Sequence, residues 1–296
     1  MELRNIFTFL RAAELESFSK VANELSYAHS TVTMQIQQLE NEFGFPLFDR
    51  IGKRVFLSEK GREFLPYANE IVQTLTRAQL LTCRPTEVTG HLRLGIVESL
   101  FNVIFSKLIH RYHQQLPHVT IETKTASSAD LLQLLHRNEL DIVFVLDKKI
   151  YDKDFVKAFS CDDRIVFVGH PSNPYVKSGA SLKELVKMPL ILTEKNGSYR
   201  QGLDEALAKQ DLCAEPFLQV DNTEIILRLI KAGLGISFLP EFAALGSINR
   251  QELAIIHTSD FSLDFESQIF YHKNKWVAPQ MQGFIDVISE HYASRG

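Results

Sequence analysis

From residue 91 onward, short apolar runs alternate with segments of helical period. HLRLGIV, VTIETKTA and DIVFVL have the length and composition of strands, and FNVIFSKLIHRYHQQLP and ADLLQLLHRNEL lie between them as helices. Strands separated by helices pair in parallel through right-handed crossovers. A second series runs from RIVFVGH to GISFLP, and SQIFYHKN and a last helix, QMQGFIDVISEHYA, complete the chain. This order predicts two Rossmann-like α/β lobes, lobe I at about 91–161 and 268–296 and lobe II at about 162–267.

The first 60 residues have a different, helical pattern. Apolar residues predict a helix from Leu3 to Ala13, a short second helix around Val21 and a third helix after a turn at 26–29. In the third helix one face is apolar, with Val32, Ile36, Leu39 and Phe43, and the opposite face carries Ser30, Met34 and Gln37. Gly44 is placed to end it. A short helix, a turn and a longer helix with a polar front predict a helix-turn-helix.

The stretch PLFDRIGKRVFLSEKG after Gly44 predicts a two-stranded wing. Its basic residues Arg50, Lys53 and Arg54 surround Gly52, a composition suited to DNA phosphates. The alternative is a three-helix bundle with a solvated basic hairpin. Residues 1–62 carry eight basic and eight acidic side chains, a net charge of 8 − 8 = 0. For DNA binding, the position of the basic residues in the wing matters more than this net charge.

The run FLRAAELESFSKVANELSYAHSTVTMQIQQLENEFGFPLFDRIGKRVFLSEKG resembles the winged helix-turn-helix of the LysR-type transcriptional regulators. LRLGIVESL, LHRNELDIVF and IKAGLGISFLP extend the resemblance over nearly the whole chain. It implies a DNA-binding domain at 1–58 and an effector-binding domain at 91–296 whose lobes resemble periplasmic binding proteins. His29 stands where the family often has Gln, and Met34 where Arg or Lys is frequent. The expected DNA-binding residues are His29, Ser30, Thr31, Thr33, Met34, Gln37, Arg50, Lys53 and Arg54.

Residues 59–90 are predicted to form a dimerising linker helix and a hinge. Phe64, Ala68, Ile71, Leu75 and Ala78 recur with heptad spacing, which buries apolar side chains against a partner helix. The alternative is a helix lying on its own domain. Pro66 falls within the helix, and Arg84 to Gly90 has the composition of a hinge. The resemblance implies a homodimer through this helix, a tetramer through the second domain, and double-stranded DNA with an inverted-repeat operator as the partner.

Four junctions after predicted strands are the candidates for a small-molecule effector site. Hydroxyl and amide residues precede or begin helices there, where free backbone N–H groups favour polar or anionic groups. The expected effector-binding residues are Ser99, Leu100, Ser127, Ser128, Thr193, Asn196, Asn222 and Thr223. Family members bind small effectors at these places, often carboxylates. Glu98 and Glu194 would disfavour a plain anion if they point inward, so a zwitterion or a neutral ligand stays open beside a carboxylate.

Other classes of protein are disfavoured by what the sequence contains. The charged N-terminus and the absence of about 18 consecutive apolar residues predict neither a signal peptide nor a membrane span. Three dispersed cysteines favour the cytoplasm over a disulfide scaffold. No zinc-type spacing, nucleophile elbow or dinucleotide fingerprint occurs, so no enzyme activity, metal or cofactor is predicted. The rival hypothesis is a cytosolic two-lobed binding protein or enzyme with an unrelated helical N-terminus.

Overall fold

The computed structural model describes residues 2–51, 54–82 and 88–294. The chain forms two compact units. Unit 1 contains Met1–Gly90, Gln115–Val119 and His272–Gly283, and unit 2 contains His91–Gln114, Thr120–Tyr271 and Phe284–Gly296. Lys53 and most of the predicted hinge lie outside the described residues.

Unit 1 contains three helices and a two-stranded wing, followed by a long helix. The elements are α1 (Leu3–Leu15), α2 (Phe18–Glu24), α3 (His29–Phe43), β1 (Phe48–Ile51), β2 (Arg54–Leu57) and α4 (Glu59–Thr82). Strands β1 and β2 pair antiparallel, with Arg50 opposite Val55. The Glu40 carboxylate accepts hydrogen bonds from the backbone N–H groups of Leu47 and Phe48, at 2.7 and 3.2 Å, and so fixes the start of the wing to α3.

The apolar face predicted for α3 is confirmed over most of its length. Val32, Ile36 and Leu39 are fully buried in the core of unit 1. Phe43 differs, because it lies at the end of the helix and is 37% exposed, with its ring against those of Phe45 and Phe64. Gly44 has φ 76° and ends the helix as predicted.

The first half of α4 packs on its own unit, and this corrects part of the linker prediction. Phe64 and Ala68 are 7% and 0% exposed, and the Phe64 ring centroid lies 5.1 Å from that of Phe9 in α1. The expectation that only a partner helix could cover these two residues is therefore wrong. Ile71 packs partly on the same core, Leu75 is half-buried, and the side chain of Ala78 lies outside the described residues.

Residues 272–283 belong to unit 1 and contact its helices. The Lys275 Nζ lies 2.6 Å from the Glu14 Oε1, and both side chains are almost fully buried. The Trp276 ring meets the Phe7 ring edge-on with centroids 5.3 Å apart. A buried ion pair and an aromatic contact thus hold this segment beside α1.

Unit 2 is built on a mixed sheet. The strands are β3 (Thr89–Ile96), β4 (His118–Thr125), β5 (Ile142–Asp147), β6 (Phe155–Gly169), β7 (Ile191–Leu192), β8 (Leu218–Gln219), β9 (Ile236–Pro240), β10 (Ala254–Ile256) and β11 (Asp264–His272). The seven-stranded sheet has the order β10-β6-β11-β5-β3-β4, with β9 also pairing with β6. Strands β3 and β5 are parallel as predicted, whereas β11 runs antiparallel to β5, and β9 and β10 run antiparallel to β6. The short strands β7 and β8 form a separate parallel pair.

Helices follow the strands and place their N-termini near strand ends. They are α5 (Glu98–Leu100), which a π-helical turn at Phe101–Phe105 joins to α6 (Ser106–Gln115), then α7 (Ser128–His136), α8 (Tyr175–Ser178), α9 (Leu182–Leu185), α10 (Ser198–Ala208), α11 (Thr223–Lys231), α12 (Glu241–Asn249) and α13 (Pro279–Ala293). Helix α12 and strand β10 were not predicted from the sequence. Ala232 and Gly233 end α11, with Gly233 at φ 78°, which confirms that the glycines at 233 and 235 are no dinucleotide motif.

Candidate DNA-binding surface and effector cleft

The polar front of α3 faces solvent. His29, Ser30, Met34 and Gln37 are exposed, and Met34 is 52% exposed although its side chain is apolar. Thr31 and Thr33 are half-buried. Ala28 precedes the helix and offers no side-chain cap. The Thr31 and Val32 N–H groups donate to the Ala28 carbonyl, so the N–H groups of His29 and Ser30 are the ones placed to meet an anion. The arrangement suits contact with phosphates and base edges.

The Thr33 hydroxyl already has a partner within the helix. It donates its proton to the His29 carbonyl oxygen at 3.1 Å. A hydroxyl has one proton and two acceptor lone pairs, so towards DNA Thr33 can only accept. It would therefore favour the amino groups of adenine or cytosine in the major groove.

The wing presents basic residues to different extents. Arg54 is exposed on β2, whereas only the backbone of Arg50 is described, in β1, and Lys53 lies outside the described residues. Tyr27, in the turn before α3, is 42% exposed and is not among the predicted residues. It belongs to no periodic face, so helical spacing could not select it, and its exposure depends on the fold.

Unit 2 contains a cavity of about 340 Å³ at the ends of its strands. It is lined by the junctions that follow β3, β4 and β7 and by the residue two positions before α11. The lining residues are Val97, Glu98, Ser99, Thr125, Ala126, Ser127, Ser128, Leu146, Thr193, Glu194, Asn196, Gly197, Ser198, Tyr199 and Asp221. We call this cavity the cleft.

Five of the eight predicted effector residues line the cleft: Ser99, Ser127, Ser128, Thr193 and Asn196. The other three do not. Leu100 is fully buried in the core, Asn222 uses its side chain to cap α11 by accepting from the Ile225 N–H, and Thr223 is 1% exposed and bonded to Glu98. Ser127 similarly caps α7, yet it stays at the cleft surface.

Glu98 connects the end of β3 to the start of α11. Its Oε1 accepts from the Thr223 N–H at 3.0 Å and its Oε2 accepts from the Thr223 hydroxyl at 2.6 Å. The Asn102 side-chain amide donates to Oε1 as well. Burial raises the pKa of the Glu98 carboxyl, and the hydrogen bonds from Thr223 oppose this shift. Glu98 thus fills the N-terminus of α11 with a negative charge supplied by the protein itself.

A second polar group spans the cleft at the start of α10. The Ser198 hydroxyl donates to the Asp147 Oδ2 at 2.6 Å and lies 3.1 Å from the Ser128 hydroxyl oxygen. Helix α10 has Gly197 before its first residue and no side-chain cap. Residues from the β4, β5 and β7 junctions therefore meet at one place.

Beneath the cleft, a buried arginine holds the loop after β7. Arg200 is 2% exposed, its Nε lies 3.0 Å from both carboxylate oxygens of Asp204, and its Nη1 donates to the Thr193 carbonyl at 3.0 Å. The Thr193 hydroxyl oxygen has no hydrogen-bond partner of normal geometry among the described residues, although Thr193 is only 7% exposed. Burial also raises the pKa of the neighbouring Tyr199 phenol.

The described residues give little support for a metal site or a reactive thiol. No group of three or more His, Cys, Asp or Glu side chains there could hold a metal ion. Of the two described free cysteines, Cys161 is half-buried and Cys213 is exposed. None of the helices in the described ranges is both long and apolar enough to cross a membrane.

Comparison with protein families gives two matches that together cover most of the chain. The family described as bacterial regulatory helix-turn-helix protein, lysR family, matches residues 3–62, and the LysR substrate binding domain matches residues 85–293.

Individual proteins are similar over nearly their full lengths. The chain is 33% identical to the uncharacterized HTH-type transcriptional regulator YwqM of Bacillus subtilis, over 97% of this chain and 98% of that protein. It is 28% identical to the HTH-type transcriptional activator CmpR of Synechocystis, over 98% and 95%. Among solved structures, full-length BenM aligns with a TM-score of 0.55 at 24% identity, covering 100% of this chain and 98% of that one. A full-length OxyR from Pseudomonas aeruginosa aligns with a TM-score of 0.57 at 19% identity, covering 97% and 99%, and these two likenesses concern the fold.

Proposed function

Because the chain belongs to the LysR family of transcriptional regulators, we propose that it binds an inverted-repeat operator through α3 and the wing, under the control of a small effector in the cleft. The family supplies the general activity: the protein is a DNA-binding transcription regulator with an effector-binding domain, not an enzyme. We propose the residues that carry each step, the inverted-repeat operator, the oligomer and a cytoplasmic location.

The observation that supports DNA binding by α3 is its uncapped, exposed N-terminal turn above a fully buried apolar face. Val32, Ile36 and Leu39 fix the helix on unit 1, so Ser30 and Met34 remain available on the other side. Met34 can pack against a thymine methyl group, and the Thr33 oxygen can accept from a base amino group. Arg54 supplies a charge for the phosphate backbone.

The test is binding to the DNA upstream of the protein's own gene, measured by fluorescence anisotropy over a series of salt concentrations. Arg54→Ala should weaken binding to all sequences and reduce the salt slope by roughly one for each subunit bound to the operator. Met34→Ala should instead change the preference at particular bases by about 1–3 kcal/mol and leave the salt slope unchanged. Lys183→Ala, an exposed lysine on α9 in unit 2, is the control. If Arg54→Ala and Met34→Ala changed the salt slope and the base preference alike, these separate roles would be wrong.

The oligomer is proposed to form through the second half of α4. Phe64 and Ala68 of the predicted heptad stripe are buried in the core of unit 1, and Ile71 packs partly against it. Leu75 is half-buried and is not part of that core. Leu75→Asp should lower the dimer fraction in analytical ultracentrifugation. Thr74→Asp, at an exposed neighbouring position, is the matched control. Equal dimer fractions in both variants would move the interface elsewhere. The tetramer rests on the family alone.

For the effector, Ser99 and Thr193 are proposed as hydrogen-bonding residues on two sides of the cleft. Ser99→Ala and Thr193→Ala should each weaken effector binding by about 1–3 kcal/mol while operator affinity stays the same.

A further inference from the structure

The charged residues of the cleft indicate which class of ligand it binds. Resting on the proposed effector site, we infer that the effector carries an ammonium group and that Glu98 receives it. The ligand class is then an organic amine, either a simple amine or an amino acid.

The charge around the cleft is unbalanced. Three acidic residues, Glu98, Glu194 and Asp221, are part of its lining. Among the described residues that line the cleft, none is Lys, Arg or His. Lys195 follows Glu194 in the chain but is not part of the lining, and Arg200 is engaged with Asp204 and the Thr193 carbonyl. A concave surface that carries one sign of charge concentrates ligands of the opposite sign.

Glu98 retains capacity to accept a further hydrogen bond. A carboxylate has about four acceptor positions. Two on Oε1 are taken by the Thr223 N–H and the Asn102 amide, and one on Oε2 is taken by the Thr223 hydroxyl. The remaining position on Oε2 can accept an N–H from a ligand. An ammonium group there would also compensate a carboxylate whose burial raises its pKa, because an opposite charge nearby favours the ionised form.

Thr193 supports a polar ligand independently of charge. Its hydroxyl is buried at the wall of the same cleft, where it lies beside the Tyr199 phenol but makes no hydrogen bond of normal geometry. A buried hydroxyl that lacks a hydrogen bond is destabilising, and a polar ligand atom beside it would remove this cost. The cleft therefore offers an acceptor for an ammonium group at Glu98 and, at Thr193, a hydroxyl that lacks a well-formed hydrogen bond and can bind a second polar group of the ligand.

A plain carboxylate fits this site poorly. Three acidic residues would disfavour it, and the described lining residues include no basic side chain to offset their charge. The α11 N-terminus is already occupied by Glu98, and the uncapped start of α10 is left as the place where the carboxylate group of an amino acid could bind. An amino acid stays compatible because its ammonium group can face Glu98.

The experiment uses the full-length protein and probe compounds that differ only in their charged group. Butylamine, butanol and butyrate form one series, benzylamine, benzyl alcohol and benzoate form a second, and lysine and phenylalanine represent amino acids. Each is added at equal millimolar concentration and ionic strength, and the melting temperature is measured, followed by calorimetric titration of the compounds that raise it. We expect the rise in melting temperature to come from compounds with an ammonium group.

Glu98→Gln is the decisive variant because glutamine can keep every hydrogen bond of Glu98. Its Oε1 can accept from the Thr223 N–H and the Asn102 amide, and its Nε2 can donate to the Thr223 hydroxyl. Amine affinity should fall at least about tenfold, since the variant lacks the charge that strengthens the hydrogen bond to the ammonium group. Without ligand the variant should melt at a higher temperature than the wild type near neutral pH, whereas a purely structural role of the charge would lower it. Glu122→Gln, an exposed glutamate on β4, is the control and should change neither quantity.

The outcomes separate this inference from the effector site itself. If carboxylates bind, and Ser99→Ala or Thr193→Ala weakens them, the site stands and the ammonium inference is overturned. If an amine binds equally well in Glu98→Gln, Glu98 is not its receptor. If no amine raises the melting temperature, the ligand class is wrong. If amines bind, lose affinity in Glu98→Gln and yet leave operator binding unchanged, the ligand class stands and effector control of DNA binding fails.

Discussion

The pair of Arg200 and Asp204 allows a quantitative test of how the wall of the cleft is stabilised. The guanidinium is 2% exposed, and its Nε lies 3.0 Å from both oxygens of Asp204. Asp204 is 36% exposed. Breaking a fully buried pair costs about 3–5 kcal/mol because it leaves an uncompensated buried charge. Solvent around Asp204 screens the interaction, so we reduce the expected cost of Asp204→Ala to about 2–3 kcal/mol.

The opposite substitution has a different consequence. Arg200→Met keeps much of the side-chain volume and removes the buried charge, and Asp204 can then be hydrated. The main loss is the hydrogen bond to the Thr193 carbonyl, about 1–3 kcal/mol. Once Arg200 is gone, Asp204→Ala should cost almost nothing more, because the charge that needed Asp204 is no longer present. The double-mutant cycle should therefore give a coupling energy of about 2–3 kcal/mol.

The assay is urea unfolding of the full-length wild type, both single variants and the double variant, followed by circular dichroism. Lys183→Ala on the surface of unit 2 is again the control. If Asp204→Ala lowers the free energy of unfolding by the same amount with and without Arg200, the two residues are not coupled and the argument from burial is refuted.

Three further predictions concern single positions. Lys275→Met should lower the free energy of unfolding of unit 1, measured by urea titration, by about 2–4 kcal/mol, because buried Glu14 then lacks this partner. Lys273→Met, at an exposed position, is the control and should have little effect. Ser58→Ala should cost about 1–2 kcal/mol, because the Ser58 hydroxyl accepts from a backbone N–H in the first turn of α4 and donates to a carbonyl before the wing, and an unchanged urea midpoint would contradict this. Burial raises the folded pKa of Glu98, so the wild type should lose stability relative to Glu98→Gln as the pH rises above about 4.5 and through the folded pKa. Melting curves at several pH values should show that the difference in melting temperature between the two proteins changes across this range. It should be constant at lower pH and at neutral pH.

Several elements could be predicted because a local pattern determines them. The buried face of α3 follows from helical spacing alone, and the strand–helix order after residue 91 predicts the parallel pair of β3 and β5. Helix α12 was not predicted because its sequence, EFAALGSIN, is apolar on most sides and has no amphipathic period. The covering of Phe64 depends on α1, whose position relative to α4 no local pattern contains.

The cleft shows the same division between local and tertiary information. Ser99, Ser127, Ser128 and Thr193 could be found because each lies at a strand end, which the local pattern marks. These hydroxyls can bind an ammonium compound, a carboxylate or a neutral ligand, so they do not determine the ligand class. The charge of the cleft is set by Glu98, Glu194 and Asp221, which are 123 residues apart at the extremes (221 − 98 = 123) and meet only in the folded domain. Whether Glu98 points into the cleft depends on its bonds to Thr223, across the two lobes. The charge of this cleft therefore depends on the tertiary contacts of a few acidic residues, and the amine titration tests their effect on the ligand.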